Sequence, residues 1–267
     1  MSSQGVYLPT DDPDTYHSTE LANAGWYEEG QHGGAIAALI TGQVEKVPTL
    51  APMEIARVTI ELFRVVPLVP LTISTRIVRE GKRIQTVEAM VTAPSGQVLS
   101  MALVQRLRTA DLPPPRQASP PPTTMPAPDD CPPVSFWSHG EPGKVMFHHD
   151  AIEVRQIRGR LGERGPGAVW IRLTEPIVAG ETPTPAQLAA LTADFSNGVS
   201  QALDDDWVFM NSDLTVSLAR HPVGEWVALD AASVYHDQGR GMASATIWDR
   251  FHQIGRSTQT LFLDRVS

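Results

Sequence analysis

Three residues in the C-terminal half stand where their surroundings argue against a purely solvated role. Asp194 lies in "ALTADFSNGV", residues 190–199, a run of small and apolar side chains. The acids that follow it, Asp204, Asp205 and Asp206, read as a solvated turn, and Asp194 does not. Asn211 stands in "MNSDLTV", and Gln259 in the middle of "RSTQTLFL", a run that otherwise reads as a buried strand. A carboxylate among apolar neighbours, with two amides to orient it, is the material of acid–base chemistry on a bound molecule. Each residue also has a plainer reading. Asp194 could cap the helical turn that starts at "SNGV". Asn211 could close the turn after the three acids, and Gln259 could lie on an exposed strand face.

An internal repeat separates the two readings. "GGAIAALITGQ" from Gly33 aligns with "PAQLAALTADF" from Pro185 at an offset of 152. "ARVTIELFRVVP", ending at Pro67, aligns with "NSDLTVSLARHP", ending at Pro222, at 155. "QVLSMALVQRL" from Gln97 aligns with "QIGRSTQTLFL" from Gln253 at 156. Three matches in order, drifting by four residues, indicate a tandem duplication. On that alignment Asp194 falls on Gly42, Asn211 on Ala56 and Gln259 on Leu103. All three positions are polar in the second copy and small or apolar in the first. The asymmetry favours one shared polar site, with one working half and one supporting half.

The elements that must position these residues read alike in both copies. A helix comes first, over roughly 33–46 and 185–202. Gly33 and Gly34 open the first, and Thr184-Pro185 opens the second as cap and first-turn proline. Strands follow at "RVTIELFRVV", "LTISTRIVRE", "KRIQTVEAMVTA" and "QVLSMALVQRL". Turns at Gly81-Lys82 and Pro94-Ser95-Gly96 stand at hairpin spacing. The second copy gives "WVFMNSDLTVSLAR", whose first post-helix strand starts at Asn211, then "EWVALDAASVYH", "GMASATIWDR" and "QIGRSTQTLFL". "AIEVRQI" and "AVWIRL" precede its helix. A long helix followed by an antiparallel meander is an α+β unit, a sheet wrapped on a helix. Two such units can join edge to edge into one sheet with the helices side by side.

The boundary between the copies is "TADLPPPRQASPPPTTMPAPDDCPP", residues 109–133, which carries 10 of the 23 prolines. Proline lacks a backbone donor and fixes φ, so an extended, partly polyproline linker is expected. The units are 1–107 and 146–267, with 108–145 between them. The chain has 267 residues, 42% hydrophobic, and a net charge of −9, a balance that argues against a nucleic-acid partner. The single Cys131 precludes an internal disulfide and a cysteine-rich metal site. The polar start "MSSQGVYLPTDDPDTYHS" does not read as a signal peptide, and no apolar run nears the ~20 residues of a membrane span. A cytoplasmic protein without membrane contact is expected.

These residues together resemble the double-hotdog acyl-CoA thioesterases of the TesB type. The resemblance covers nearly the whole chain. It rests on "GGAIAALI", "VTIELFRVVP", "IEVRQI" with "VWIRL", "TADFSNG", "NSDLTV" and "STQTLF", in that order and spacing. It implies an α+β double hotdog: two tandem units, each a curved antiparallel sheet around a long helix. It also implies hydrolysis of acyl-CoA thioesters by a water held by an Asp, a Thr or Ser, and a Gln, with no cofactor and no metal. The Asp position matches Asp194 and the Gln position Gln259. The hydroxyl position falls on Asn211, whose amide can position a water or a carboxylate but cannot relay a proton. On this reading Asp194 is the general base or orients the water. The thioester carbonyl meets the N–H groups of Gly33 and Gly34, where a helix start offers free donors and glycine allows close approach. His32, beside that start, could contact substrate or lie on the surface. The expected partner is acyl-CoA. A double hotdog is its own pseudo-dimer and leaves room for homo-oligomers.

Other features carry less. "HHD" at 148–150 reads as the lead-in to a strand, "GRLGERGPG" at 159–167 as a hairpin loop, and Trp207, Trp226 and Trp248 as packing residues. No G-x-S-x-G elbow is present, which argues against a serine α/β-hydrolase. Two rivals remain: an acyl-thioester hydratase or dehydratase on the same fold, which calls for a His near the Asp, and a non-catalytic acyl-CoA binder, kept open by Asn211.

Overall fold

Alternation of apolar and polar residues becomes alternation of buried and open side chains. Along Ile84–Thr92 every second residue, Gln85, Val87, Ala89 and Val91, is buried. A computed structural model describes residues 5–25, 30–113, 115, 125–136, 143–204 and 206–265. The first unit contains β1 (Tyr7–Pro9), β2 (Thr15–Ser18), α1 (Gly33–Glu45), β3 (Met53–Leu62), β4 (Leu71–Arg79), β5 (Ile84–Thr92) and β6 (Val98–Arg108). The second contains β7 (Pro133–Val134), α2 (Phe147–Asp150), β8 (Ile152–Arg158), β9 (Gly167–Leu173), α3 (Pro185–Asp194), α4 (Ser196–Val199) and β10 (Trp207–Asn211). It continues with β11 (Asp213–Leu218), β12 (Val227–His236), β13 (Arg240–Trp248) and β14 (Gln253–Arg265).

One antiparallel sheet runs through both units in the order β1-β2-β4-β5-β6-β3-β11-β14-β13-β12-β9-β8-β7, with β10 also pairing β14. The seam is β3 against β11, from Asp213 opposite Glu61 to Ser217 opposite Arg57. The N-terminal segment also ties the units together: Val6 and Tyr7 donate main-chain bonds to Pro176 and Ile177 at 2.9 and 2.8 Å.

Both long helices lie inside the curve of the sheet, which is why they are apolar on nearly every side; residues 34–41 of α1 and 186–193 of α3 are all buried. They run antiparallel. Gly33 at the start of α1 faces Asp194 at the end of α3, and Gly42 near the end of α1 faces Gln187 near the start of α3. Thr184 and Gln187 form a reciprocal capping box at the α3 start, with Pro185 in its first turn. Among the described residues no helix is long and apolar enough to cross a membrane.

Three local expectations change. The second helix is two pieces, broken at Phe195, because the Ser196 hydroxyl bonds back to the Ala193 carbonyl at 2.7 Å and competes with the helical ladder. Asn211 does not begin the first post-helix strand. It ends β10, which pairs β14, before the chain steps across to the seam in β11. "HHD" leads into β8 as expected, and does so as the helical turn α2. Residues 128–134, within the stretch expected as linker, form a short 3-10 turn and an edge strand on β8, and bring Cys131 against Trp170. Proline tolerates an edge strand, so its abundance does not bar that docking. Much of the rest of the proline-rich segment, 114 and 116–124, lies outside the described residues, as does Asp205.

Candidate active site

The break after Asp194 leaves its carboxylate at the end of α3, pointed at the start of α1. Its side chain is 6% exposed. Two amides from the sheet hold one oxygen: Asn211 Nδ2 donates to Oδ1 at 3.0 Å and Gln259 Nε2 at 3.2 Å. Gln259 Nε2 also reaches the Asp194 main-chain oxygen at 3.0 Å, while its Oε1 accepts from the Asn197 N–H at 3.1 Å. Gln259 is buried on the helix-facing side of β14, with Ser257 and Leu261, and not on an open face. The plain alternatives for Asp194 and Gln259 thus fail: each side chain bonds across elements.

The other carboxylate oxygen faces α1. His32 is the N-cap of that helix, its Nδ1 accepting from the Gly34 N–H at 3.0 Å. The same Nδ1 lies 3.3 Å from Asp194 Oδ2. His32 is 3% exposed and so is not a surface residue. Its ring stacks on Phe195, with centroids 4.6 Å apart, and lies 5.0 Å from Phe147. Phe136 also stacks on Phe195, at 4.9 Å. The site is therefore a polar cluster in an aromatic wall.

Burial decides the protonation. Loss of solvent pushes the Asp194 carboxyl from 3.8 up to about 6, and the bonds from Asn211, the Gly34 N–H and Gln259 pull down without cancelling it. For His32, burial acts first and the nearby His148 second, and together they lower the imidazole well below its ordinary value. Both effects favour the neutral ring.

Gly33 and Gly34 play different parts. A Cβ on Gly33 would sit 2.8 and 2.9 Å from the two Asp194 oxygens. Glycine at 33 is thus required by the approach of Asp194 itself, where the sequence suggested the approach of a substrate. The Gly34 N–H is engaged by His32 Nδ1 and by Asp194. The Gly33 N–H has no hydrogen-bond partner among the described residues and is the free donor at the positive end of α1.

At the matching position of the first copy the chemistry is missing. Gly42 stands in place of Asp194, and its bare backbone admits the Gln187 amide, which donates to the Ala38 carbonyl at 3.2 Å. Sequence reasoning found Asp194, Asn211, Gln259, Gly33, Gly34 and His32, and the fold brings all six together. It missed the His32–Asp194 contact, the Asn197 N–H and the aromatic wall of Phe136, Phe147 and Phe195. Among the described residues no three His, Cys, Asp or Glu side chains are grouped to hold a metal ion.

The sequence model of the acyl-CoA thioesterase C-terminal domain matches residues 128–263, and that of the N-terminal domain matches residues 23–114. No curated protein matches the sequence. Among solved structures, the chain is similar to an acyl-CoA thioesterase II, TesB2, from Mycobacterium marinum: 15% identity, 97% of this chain and 96% of that one, TM-score 0.65. It is similar to the tesB protein of Mycobacterium avium subs paratuberculosis at 15% identity over 96% and 94% of the chains, TM-score 0.65. A hot dog fold protein of unknown function from Alicyclobacillus acidocaldarius gives 15% identity, 97% and 96% coverage, and a TM-score of 0.70. At these identities the solved structures establish the architecture, and the two domain models, which between them span most of the chain, establish the family. The chain belongs to the acyl-CoA thioesterase family and is a TesB-like double hotdog.

Proposed function

We propose that the protein hydrolyses acyl-CoA thioesters to a free acid and CoA, with Asp194 as the general base for an attacking water. The observation that carries this reading is a buried carboxylate, fixed by Asn211 and Gln259, at the N-terminus of the helix from the other copy. The thioester carbonyl takes its place on the Gly33 N–H, where the α1 dipole stabilises developing negative charge. A water between Asp194 and the carbonyl carbon loses a proton to the carboxylate and adds to the carbon. The leaving thiol has a pKa near ~8.5, so the thiolate departs without a strong nucleophile or a metal. Both copies are needed: the base comes from the second and the electrophilic end from the first.

Asn211 fits this scheme. Its Nδ2 orients the carboxylate, a task that a hydroxyl donor also performs, and direct attack by an Asp194-activated water needs no relay through residue 211. The test is free-thiol release from short, medium, long and aromatic acyl-CoAs. Release that saturates with substrate supports the reading. Saturable acyl-CoA binding without release supports the binder instead. The hydratase has one observation in its favour, the His32 ring beside Asp194. It predicts consumption of a 2-enoyl-CoA with no thiol released.

A further inference from the structure

Beyond Gln259 the inner face of the sheet carries a small apolar cluster separate from the main core. Leu261 and Leu263 of β14 are buried in it, and Leu203, Trp207, Phe209 and Tyr235 are half-buried against them. Side chains alternate along a strand, so Gln259, Leu261 and Leu263 share one face, and the cluster extends over ~14 Å of strand from Gln259. Asn211 stands opposite Leu261, and Phe209 opposite Leu263. The cluster therefore starts where the amides that hold Asp194 end. On its other side Gly241 stands opposite Leu261, and a Cβ there would meet the Tyr235 ring at 2.9 Å and Leu261 at 3.4 Å. The phenol ring thus lies over Gly241, beside Leu261. Three polar atoms on the margin of this cluster are shut off from solvent with no hydrogen-bond partner among the described residues: Asn197 Oδ1, Gln201 Oε1 and the Tyr235 hydroxyl. Asn197 gives its main-chain N–H to Gln259. Ser200, next to Gln201, bonds Ser233 at 2.7 Å, and Tyr235 follows two residues on along the same face of β12. Ser233, Ala243 and Gln259 form one row across β12, β13 and β14, so all three residues flank the row that carries the catalytic amide. Enclosed polar atoms are almost always bonded, so three on one margin call for a partner that brings hydrogen bonds of its own.

We propose that this compartment takes the acyl group of the substrate and selects a chain that carries a hydroxyl. This rests on the hydrolytic reading and names the substrate class of the same site. The apolar floor of Leu261, Leu263 and Phe209 takes the methylenes, whose transfer out of water is favourable and non-directional. The hydroxyl makes the distinction. It is donor and acceptor at once, so it donates to an amide oxygen such as Gln201 Oε1 and accepts from the Tyr235 phenol. A plain chain in the same place leaves these atoms unbonded and away from water. A site built to bond a substrate hydroxyl discriminates strongly against the analogue that lacks it, whereas one methylene more or less in an apolar pocket matters little. The polar margin therefore sets the class of acyl group, and the apolar floor sets only its bulk.

The probes are octanoyl-CoA and hydroxyoctanoyl-CoAs with the hydroxyl at successive carbons, given to the wild-type protein and to Tyr235→Phe. Phenylalanine keeps the ring over Gly241 and deletes only the phenol oxygen, so the cluster and the fold are retained. The expected result is a kcat/KM at least about 10-fold higher for one hydroxy isomer than for octanoyl-CoA, and a ratio between the two that falls about 10-fold in Tyr235→Phe. Octanoyl-CoA turned over as well as every hydroxy isomer would overturn the proposal and leave the polar margin as a place for water. A preference that Tyr235→Phe does not move would overturn it equally. Wild-type protein that releases no thiol from any probe would end the hydrolytic reading, and calorimetric Kd values for the same probes then decide the compartment. Tighter binding of a hydroxy isomer, lost in Tyr235→Phe, supports it, and equal binding of plain and hydroxylated chains sinks it.

Discussion

Asp194 is expected to weaken the fold it serves, and Asp194→Asn to stabilise it. A carboxyl whose folded pKa lies above its unfolded one is held better protonated than ionised. Its contribution is fully present below about 3.8 and is lost as pH rises through about 6. Above that, ionisation of the buried group costs the fold. A displacement from 3.8 to about 6, at ~1.4 kcal/mol per pH unit, corresponds to about 3 kcal/mol. Asparagine removes that cost while keeping the geometry. Its oxygen accepts from Asn211 and Gln259 as Oδ1 does. In a chain of this size the gain is on the order of 5–10 °C in Tm. The assay is thermal unfolding of both proteins from pH 4 to pH 8. The difference should be near zero at pH 4, grow to about pH 6 and stay level above it, while kcat falls by ~10²-fold or more. A variant less stable than wild type at pH 8, or a difference independent of pH, would refute the assignment of a strained, buried base.

Substitutions at three other positions test separate parts of the account. Gly33→Ala places a methyl 2.8–2.9 Å from both Asp194 oxygens, so kcat should drop by ~10² with little change in KM; near-wild-type kinetics would show that the carboxylate can move without harm. Asn211→Thr, keeping a donor for Oδ1, should retain activity within about 10-fold, whereas Asn211→Leu should lose ~10²; equal rates in the two would remove residue 211 from the site. Asp249 is fully buried, bonded by Arg220 at 2.6 and 2.9 Å and by the Val223, Phe251 and His252 N–H groups, and the Arg220 bond and these N–H groups outweigh burial to hold its pKa near 2. Its stabilisation is present above pH ~4 and lost as pH falls through about 2. Asp249→Ala should therefore cost about 3 kcal/mol by denaturant unfolding at pH 7 and leave KM for acyl-CoA unchanged.

The strands were legible because a buried face leaves a period of two, and β4, β5, β6, β12 and β14 begin within two residues of where that period begins. The polar trio was legible because duplication gave each position a control: Asp194 against Gly42, Asn211 against Ala56, Gln259 against Leu103. What escaped depends on packing between distant segments. His32 and Asp194 meet only because two helices from different copies lie antiparallel, so nothing within either segment signals the contact. Gly33 was noticed as a place of close approach, but its contact with Asp194 was not legible, since a Cβ vector is aimed by the helix and not by the local sequence. The break at Phe195 escaped because an uninterrupted apolar pattern hides a single hydroxyl that bonds back to the chain. The docking of residues 128–134 escaped because proline density says where a chain is extended, not whether it pairs at an edge.

The most direct measurement of the central claim is the pH dependence of kcat/KM for CoA release by the wild-type protein, with Asp194→Asn alongside. The account predicts an acid limb near pH 6, where Asp194 ionises, and a variant whose residual rate, ~10²-fold lower, has lost that limb. A limb at the ordinary carboxylate pH near 4, or a variant that turns over like wild type, would contradict Asp194 as the buried base of a thioester hydrolase.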